Sequence, residues 1–371
     1  MKYLIFLTIL FNSACNQPTG TEKVLLVGFT QEKITDNLYV LKSANYNTNT
    51  GVFIGENGLL LVDPMSGVNN HQNLLKAIQQ LSEKPIKHVL NTHSHQDHSG
   101  ANAFFAELGA TIVSQENAQY SQAKHDLTFK DSFTLEMGNE TVELLHITAH
   151  TFDDALIYFK NSNTLFMGDT YMTNSFPHFY YGGGGKGHIE ILDKALSIGD
   201  TKTTIVSAHG ELTSSKSDLK AYKQNSQKWI DRIAQLHETG KSPEEIANDQ
   251  QIKQLSIVFN DRKNISSESI LRTINKTISA DLASNFSISE NNLKQYEGFY
   301  QYENGQVDEI ILEQGKLILR SEGAYIFEIT PISETRLHLK GQFPNKHLTF
   351  NAAKNSFVYF NGTEHLTATK K

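Results

Sequence analysis

The hexapeptide His93-Ser94-His95-Gln96-Asp97-His98 places four metal-binding side chains within six residues. Alternation along an extended segment sends His93 and His95 to the same side. A turn into a helix brings Asp97 and His98 back toward the same space. Two imidazoles can then hold one cation while an Asp–His pair holds a second beside it. Neutral imidazole with carboxylate suits zinc, with iron or manganese as alternatives. The competing reading is a polar loop with surface histidines, and the spacing directly behind a strand speaks against it.

Such a loop needs rigid flanks. Residues 86–92 (Ile-Lys-His-Val-Leu-Asn-Thr) predict a short buried strand, and 99–105 the start of a helix. Upstream, 24–27 and 38–41 read as strands, and 51–55 with 58–63 as a hairpin turning at Glu56-Asn57-Gly58. Residues 73–81 carry Leu74, Leu75, Ile78 and Leu81 on one helical stripe. Strand, helix, strand, loop, helix is an α/β rhythm. Further strands are expected at 110–113, 141–146, 156–159 and 164–167. Three more candidate ligands sit where apolar strands end: His150, Asp169 behind Gly168, and His209 before Gly210. Asp63, closing Leu-Val-Asp-Pro, reads either as a turn cap or as an acceptor supporting a ligand histidine.

With these residues in order, the chain resembles the metallo-β-lactamase fold superfamily, whose signature is H-x-H-x-D-H. The resemblance covers about 24–229 and implies an α/β fold, an αββα sandwich with a metal site at one edge. It implies that His93, His95 and His150 bind one metal, that Asp97, His98 and His209 bind the other, and that Asp169 bridges both. Asp97 is the expected catalytic residue, orienting a hydroxide held between two Zn(2+) and passing on its proton. Asp169 stands about where several true β-lactamases have Cys or Ser, so it resembles the lactonase, glyoxalase II and general hydrolase branches. His95 stands where redox diiron relatives carry an acid, which speaks against oxygen reduction. Tyr171, two residues past Asp169, is either an oxyanion donor or a packed tyrosine, and packing is the expected role.

Other residues receive plainer readings. His71, His88, His125, His146 and His237 are expected at the surface or in packing. His178 and His188 flank an aromatic, glycine-rich run, 179–187. Lys186 lacks a following Ser or Thr, so the run is no phosphate loop. It is expected either as a mobile loop over the metal cleft or as an inert insertion.

Length and composition set the frame. The chain has 371 residues, which suggests two domains. Net charge is -7 without long runs, which argues against nucleic acid as a partner. Residues 1–20 read as an export signal and tether: a basic start, a short apolar run, then Asn12-Ser13-Ala14-Cys15, a lipobox-like end except for Asn12. The expected destination is the bacterial periplasm or cell envelope, with Cys15 lipidated to the membrane. Cys15 is the only cysteine, so no intrachain disulfide can form.

The catalytic domain is expected over 21–240, including a long amphipathic helix at 217–237. A helical linker follows over 241–290, with a helix start at Ser242-Pro243-Glu244-Glu245. A small all-β C-terminal domain is expected over 291–371, read as seven strands between turns. It resembles a β-barrel module that bacterial hydrolases carry. The expected function is an exported dinuclear-zinc hydrolase of a small carbonyl substrate: β-lactam, lactone, ester or thioester. The alternatives are a phosphodiester or sulfate ester hydrolase on the same metals, and a non-catalytic ligand-binding relative.

Overall fold

The computed structural model describes residues 28–371 except 45, 66–67, 261–264, 285, 322 and 324. The strand expected at 24–27, the export segment and Cys15 therefore lie outside the described residues.

The first half is a pair of sheets. One has seven strands in chain order: β1 (Phe29–Lys33), β2 (Leu38–Ser43), β3 (Asn49–Ile54), β4 (Leu59–Val62), β5 (Ile86–Leu90), β6 (Thr111–Gln115) and β7 (Leu127–Phe129). The first four pair antiparallel, and β4 to β7 pair parallel, with α1 (Val68–Leu81) crossing from β4 to β5, α2 (Gln96–Ser99) and α3 (Asn102–Glu107) from β5 to β6, and a 3-10 segment (Glu116–Tyr120) leading from β6 toward β7. The second sheet runs β12-β11-β10-β9-β8, with β8 (Ser132–Glu136), β9 (Thr141–His146), β10 (Ala155–Phe159), β11 (Thr164–Phe166) and β12 (Thr204–Val206). The short strands β7 and β8 carry few buried residues, which is why periodicity does not reveal them.

Alternation explains the layers. In β4, Leu60 and Val62 face the second sheet and pack with Val142, Ile157 and Phe166. Leu59 and Leu61 face the other way, onto Leu74, Ile78 and Phe105 of α1 and α3. A strand buried on both faces has to read as a continuous apolar run, and Leu-Leu-Leu-Val does. The outer face of the second sheet is covered by α4 (Gly184–Ser197), α5 (Lys216–Glu238), α6 (Pro243–Ala247), α7 (Gln250–Phe259) and α8 (Ser267–Asp281). Leu156, Leu165 and Ile205 share one core there with Ile191, Trp229 and Ile274. The result is the αββα sandwich.

The stretch read as a linker thus folds as part of the outer layer. Its first helix starts as expected, with a Ser242–Glu245 capping box and Pro243 in the first turn. Among the described residues no helix is long and apolar enough to cross a membrane.

After a short helix α9 (Glu290–Leu293), eight strands close into an antiparallel barrel: β13 (Gly298–Tyr302), β14 (Val307–Glu313), β15 (Lys316–Ser321), β16 (Tyr325–Pro331), β17 (Arg336–Leu339), β18 (His347–Phe350), β19 (Ser356–Phe360) and β20 (His365–Lys370). The expectation of seven strands missed β20, in which Ala368 is the one buried position. Its weak pattern hides its role: β20 pairs with both β19 and β13 and leaves no open edge. His338 alternates in sequence with Leu337 and Leu339 yet is buried as they are. It is 4% exposed because α8 covers it, and its ring meets the Ser279 hydroxyl at 2.8 Å.

Candidate metal centre

All the candidate ligands follow strand ends at one edge of the sandwich. Asp63 follows β4 and the hexapeptide follows β5, two parallel neighbours. Asp169 follows β11 and His209 follows β12, another parallel pair. His150 follows β9, which runs with β11 because both are antiparallel to β10. Open α/β sheets place their sites at such carboxyl ends. Two backbone links lock the sheets together there: Ala155 N–H donates to Thr92 O at 2.7 Å, and Asn49 N–H to Ala208 O at 2.8 Å.

The seven side chains converge. His93, His95, His150 and Asp169 form one group, and Asp97, His98 and His209 a second, with the ligand atoms of each within 4.8 Å of one another. The Asp169 carboxylate spans them. One oxygen is 3.1 Å from His209 Nε2 and 3.2 Å from His98 Nε2; the other is 3.5 Å from His150 Nε2. Asp97 Oδ2 lies 3.2 Å from His209 Nε2. His150 Nε2 and His95 Nδ1 face each other at 3.0 Å.

Each ring is aimed by a partner behind it. His150 Nδ1 meets His178 O at 3.1 Å, and His209 Nδ1 meets Asn47 O at 2.9 Å. A carbonyl only accepts, so each Nδ1 carries a proton; this turns the Nε2 of neutral His150 inward as a lone pair, while His209 Nε2 faces the Asp169 and Asp97 carboxylates. Asp63 has the supporting geometry. It accepts from Thr92 N–H (2.8 Å) and Thr92 O–H (2.6 Å) and meets His98 Nδ1 at 2.9 Å. Its φ of 51° is a left-handed conformation held by that network. Gly168 is needed for a similar reason. Its φ is 53°, and a Cβ there would sit 2.6 Å from Thr92 Oγ1.

Charge is divided unevenly. Burial, reinforced by neighbouring imidazoles, holds His93 well below the usual histidine range. Burial likewise holds His150 well below it, against the pull of Asp169. Burial would lower His98 too, yet the Asp63 and Asp169 carboxylates hold it well above. Burial opposes His209 as well, but hydrogen bonds to Asp169 and Asp97 push it up to about 9. Burial would raise Asp97, and its His209 and His98 partners bring it down to about 2.

The cluster fits metal on its own geometry. His93 Nε2, His98 Nε2 and Asp169 Oδ1 are sealed from solvent. His93 Nε2 has no hydrogen-bond partner, and the other two meet only members of the cluster: Asp169 Oδ1 is 3.2 Å from His98 Nε2 and 3.1 Å from His209 Nε2. Crowding such polar atoms into one sealed space is costly unless a cation takes up their lone pairs. A divalent cation does so, and imidazole with carboxylate is its ordinary donor set.

The remaining expectations divide. Tyr171 is 3% exposed and its ring packs edge-on to Tyr222 at 5.0 Å, so it takes the packing role. His188 is buried beside Phe179, away from the ligands. Of the two readings of the glycine run, the one over the cleft holds in part, since Tyr181 lines the cleft, while the glycines themselves are tightly packed. A Cβ on Gly182, Gly183 or Gly187 would collide with the backbone of Thr148 or Thr151, beside His150. Gly184 begins α4, and Gly185 N–H donates to Asp281 at 2.9 Å. The glycines buy close packing behind a ligand.

A cleft of about 580 Å³ opens beside His95. Tyr120, Phe152, Asp153 and Tyr181 line it, and Ile326 and Phe327 of the barrel complete its wall. None of these lining residues stands out in the sequence, because the cleft is assembled from separate loops and from β16. The aromatic content of 179–181 is the one signal that points to it.

Residues 45–225 match the family model described as metallo-beta-lactamase superfamily. A probable hydroxyacylglutathione hydrolase of Schizosaccharomyces pombe is 32% identical over 151 residues, 40% of this chain and 57% of that protein. A metallo-beta-lactamase type 2 of Elizabethkingia meningoseptica is 26% identical over 146 residues, 36% of this chain and 59% of that one. The chain thus spans less than two thirds of the length of these curated relatives. Among solved structures, the stereoselective inverting sec-alkylsulfatase of a Pseudomonas species shares the fold, with a TM-score of 0.55 and 15% identity over 72% of this chain and 54% of that one.

Proposed function

We propose that this chain, which belongs to the metallo-β-lactamase superfamily, hydrolyses a small acyl substrate: an ester, thioester, lactone or β-lactam. The observation that carries the reading is the convergence of seven His and Asp side chains in two groups joined by Asp169, with His93 Nε2 sealed from solvent and without a hydrogen-bond partner. His93, His95 and His150 would hold one cation, Asp97, His98 and His209 a second, and Asp169 would serve both, with zinc the first choice. Two such ions supply Lewis acidity toward a substrate oxygen and lower the pKa of a water toward neutrality.

The chain's own groups do the rest. Asp97 has a side chain 45% exposed and is ionised at neutral pH, so it is a solvent-accessible acceptor of the cluster. It orients an O–H there and receives its proton. Asp63 fixes the His98 ring, and the His178 carbonyl fixes His150.

The cleft supports acyl over phosphoryl or sulfuryl chemistry. Among the described residues its one cationic lining residue is Lys124, already paired with Asp126 and donating to His125 O at 2.9 Å, and no arginine lines it. An anionic ester therefore meets no uncommitted cation among these lining residues. The relatives' names, a probable hydroxyacylglutathione hydrolase and a metallo-beta-lactamase, agree with the acyl reading.

Metal analysis with a hydrolysis panel tests it. The expected result is about two zinc ions per chain and turnover of at least one acyl substrate class. Cleavage confined to phosphodiesters or sulfate esters would overturn the acyl assignment. Ligand binding without any turnover would move the chain to the non-catalytic class. We also propose export and lipidation at Cys15. Intact mass of the mature protein from the membrane fraction reads this directly, and a mature chain that retains Met1 would refute it.

A further inference from the structure

Tyr181 lines the cleft together with His95. Its ring stands edge-on to two ligand imidazoles, with centroids 5.9 Å from His95 and 5.8 Å from His150. Its hydroxyl accepts a hydrogen bond from the Lys276 ammonium at 2.5 Å. That ammonium lies over the same ring, 4.8 Å from its centroid, and 5.3 Å from the Tyr180 centroid. Lys276 forms no salt bridge among the described residues, so its charge is spent on the two tyrosines.

The chemistry follows from what each group can do. An ammonium donates and never accepts. Lys276 therefore occupies a lone pair of the Tyr181 oxygen and leaves the phenolic proton pointing elsewhere. No protein acceptor for that proton is found among the described residues. A hydroxyl that accepts from a cation is polarised and donates more strongly. The lysine comes from α8, beyond the stretch that matches the family model.

We propose that Tyr181 is a further catalytic residue of the hydrolysis, and that Lys276 is a positioning residue that holds and polarises it. The inference rests on the acyl-hydrolase reading above. When an oxygen nucleophile bonds to the carbonyl carbon, the carbonyl π pair moves onto oxygen. Tyr181 donates a hydrogen bond to that oxygen and keeps its proton. The pair returns when the bond to the leaving group breaks, so Tyr181 ends as it began. Losing one such donor typically lowers kcat by about 10²–10³.

The test uses the full chain loaded with zinc. Tyr181→Phe keeps the ring and removes the hydroxyl. It is expected to retain wild-type metal content and KM while kcat falls by about a hundredfold. Lys276→Met is expected to lose about tenfold, and Lys276→Arg to recover most of it. A second readout needs no turnover: calorimetric binding of methylphosphonate, a tetrahedral anion. Its affinity for Tyr181→Phe should drop by about tenfold. Wild-type kcat in Tyr181→Phe, or loss of rate only in parallel with loss of zinc, would overturn the proposal. So would methylphosphonate that binds both proteins equally, or neither. A wild-type chain inactive on the whole panel would instead overturn the hydrolase reading, while the methylphosphonate arm would still judge Tyr181.

Discussion

His93, His95 and His150 form a half-site of imidazoles alone, whereas Asp97, His98 and His209 mix imidazole with carboxylate beneath Asp63. In the first half, burial keeps His93 and His150 neutral well below the usual histidine range. In the second, three carboxylates surround His98, and the rings hold protons where a cation would otherwise sit. The halves lie side by side and share Asp169, yet they prepare for a cation differently. The first offers lone pairs directly. The second would release protons to take one up.

The sharpest way to break this contrast is to remove the shared residue. Asp169→Ala takes a carboxylate from both halves, and both metals and all turnover should be lost, as read by metal analysis and the hydrolysis panel. Retention of either metal would show that the halves do not depend on Asp169. Single-half variants come next. His95→Ala and His209→Ala should each lower the bound metal by about one equivalent, with spectroscopy of a cobalt-substituted protein showing which half survives. Identical spectra for the two variants would erase the distinction.

Support can be removed without touching a ligand. Asp63→Ala frees His98 and should weaken the second half alone by about 10–100-fold in metal affinity. Uniform weakening of both halves would point to a general loss of fold instead.

The smallest effect is in pH. His209 is raised to about 9, so it is cationic at neutral pH and must lose its proton to bind metal. Affinity of the second half should therefore climb as pH rises toward about 9, by about tenfold per unit for each proton released. Asp97, down to about 2, is already ionised and adds no slope there. The first half, neutral already, should stay flat over the same range. Chelator competition measured at several pH values reads both slopes, and equal slopes would refute the asymmetry.

How far the sequence reached is seen in particular residues. The hexapeptide was legible because a metal site needs chemically rare side chains at close spacing, and Asp63, Gly168 and Gly210 were legible because they interrupt apolar strands. Strand β20 was not, since a strand with one buried side chain has no periodicity to read. The glycines at 182–185 looked like a mobile loop because glycine serves both freedom and close approach. Only the Thr148 and Thr151 backbone against Gly182 and Gly183, and the Asp281 side chain against Gly184 and Gly185, show the close approach. His338 alternates with Leu337 and Leu339, and only α8 lying over it explains why it is buried as well.

By itself the sequence determined the ligand types, their order along the chain and the alternation that makes two sheets, because these are local properties of spacing and side-chain chemistry. Tertiary structure alone decided that Lys276 reaches Tyr181 and that Ile326 and Phe327 wall the cleft. It also decided that His98 and His209 stand among carboxylates while His93 stands among imidazoles. Those are distances between segments far apart in the chain. Hydrogen bonds and charges act through space, which no local pattern records.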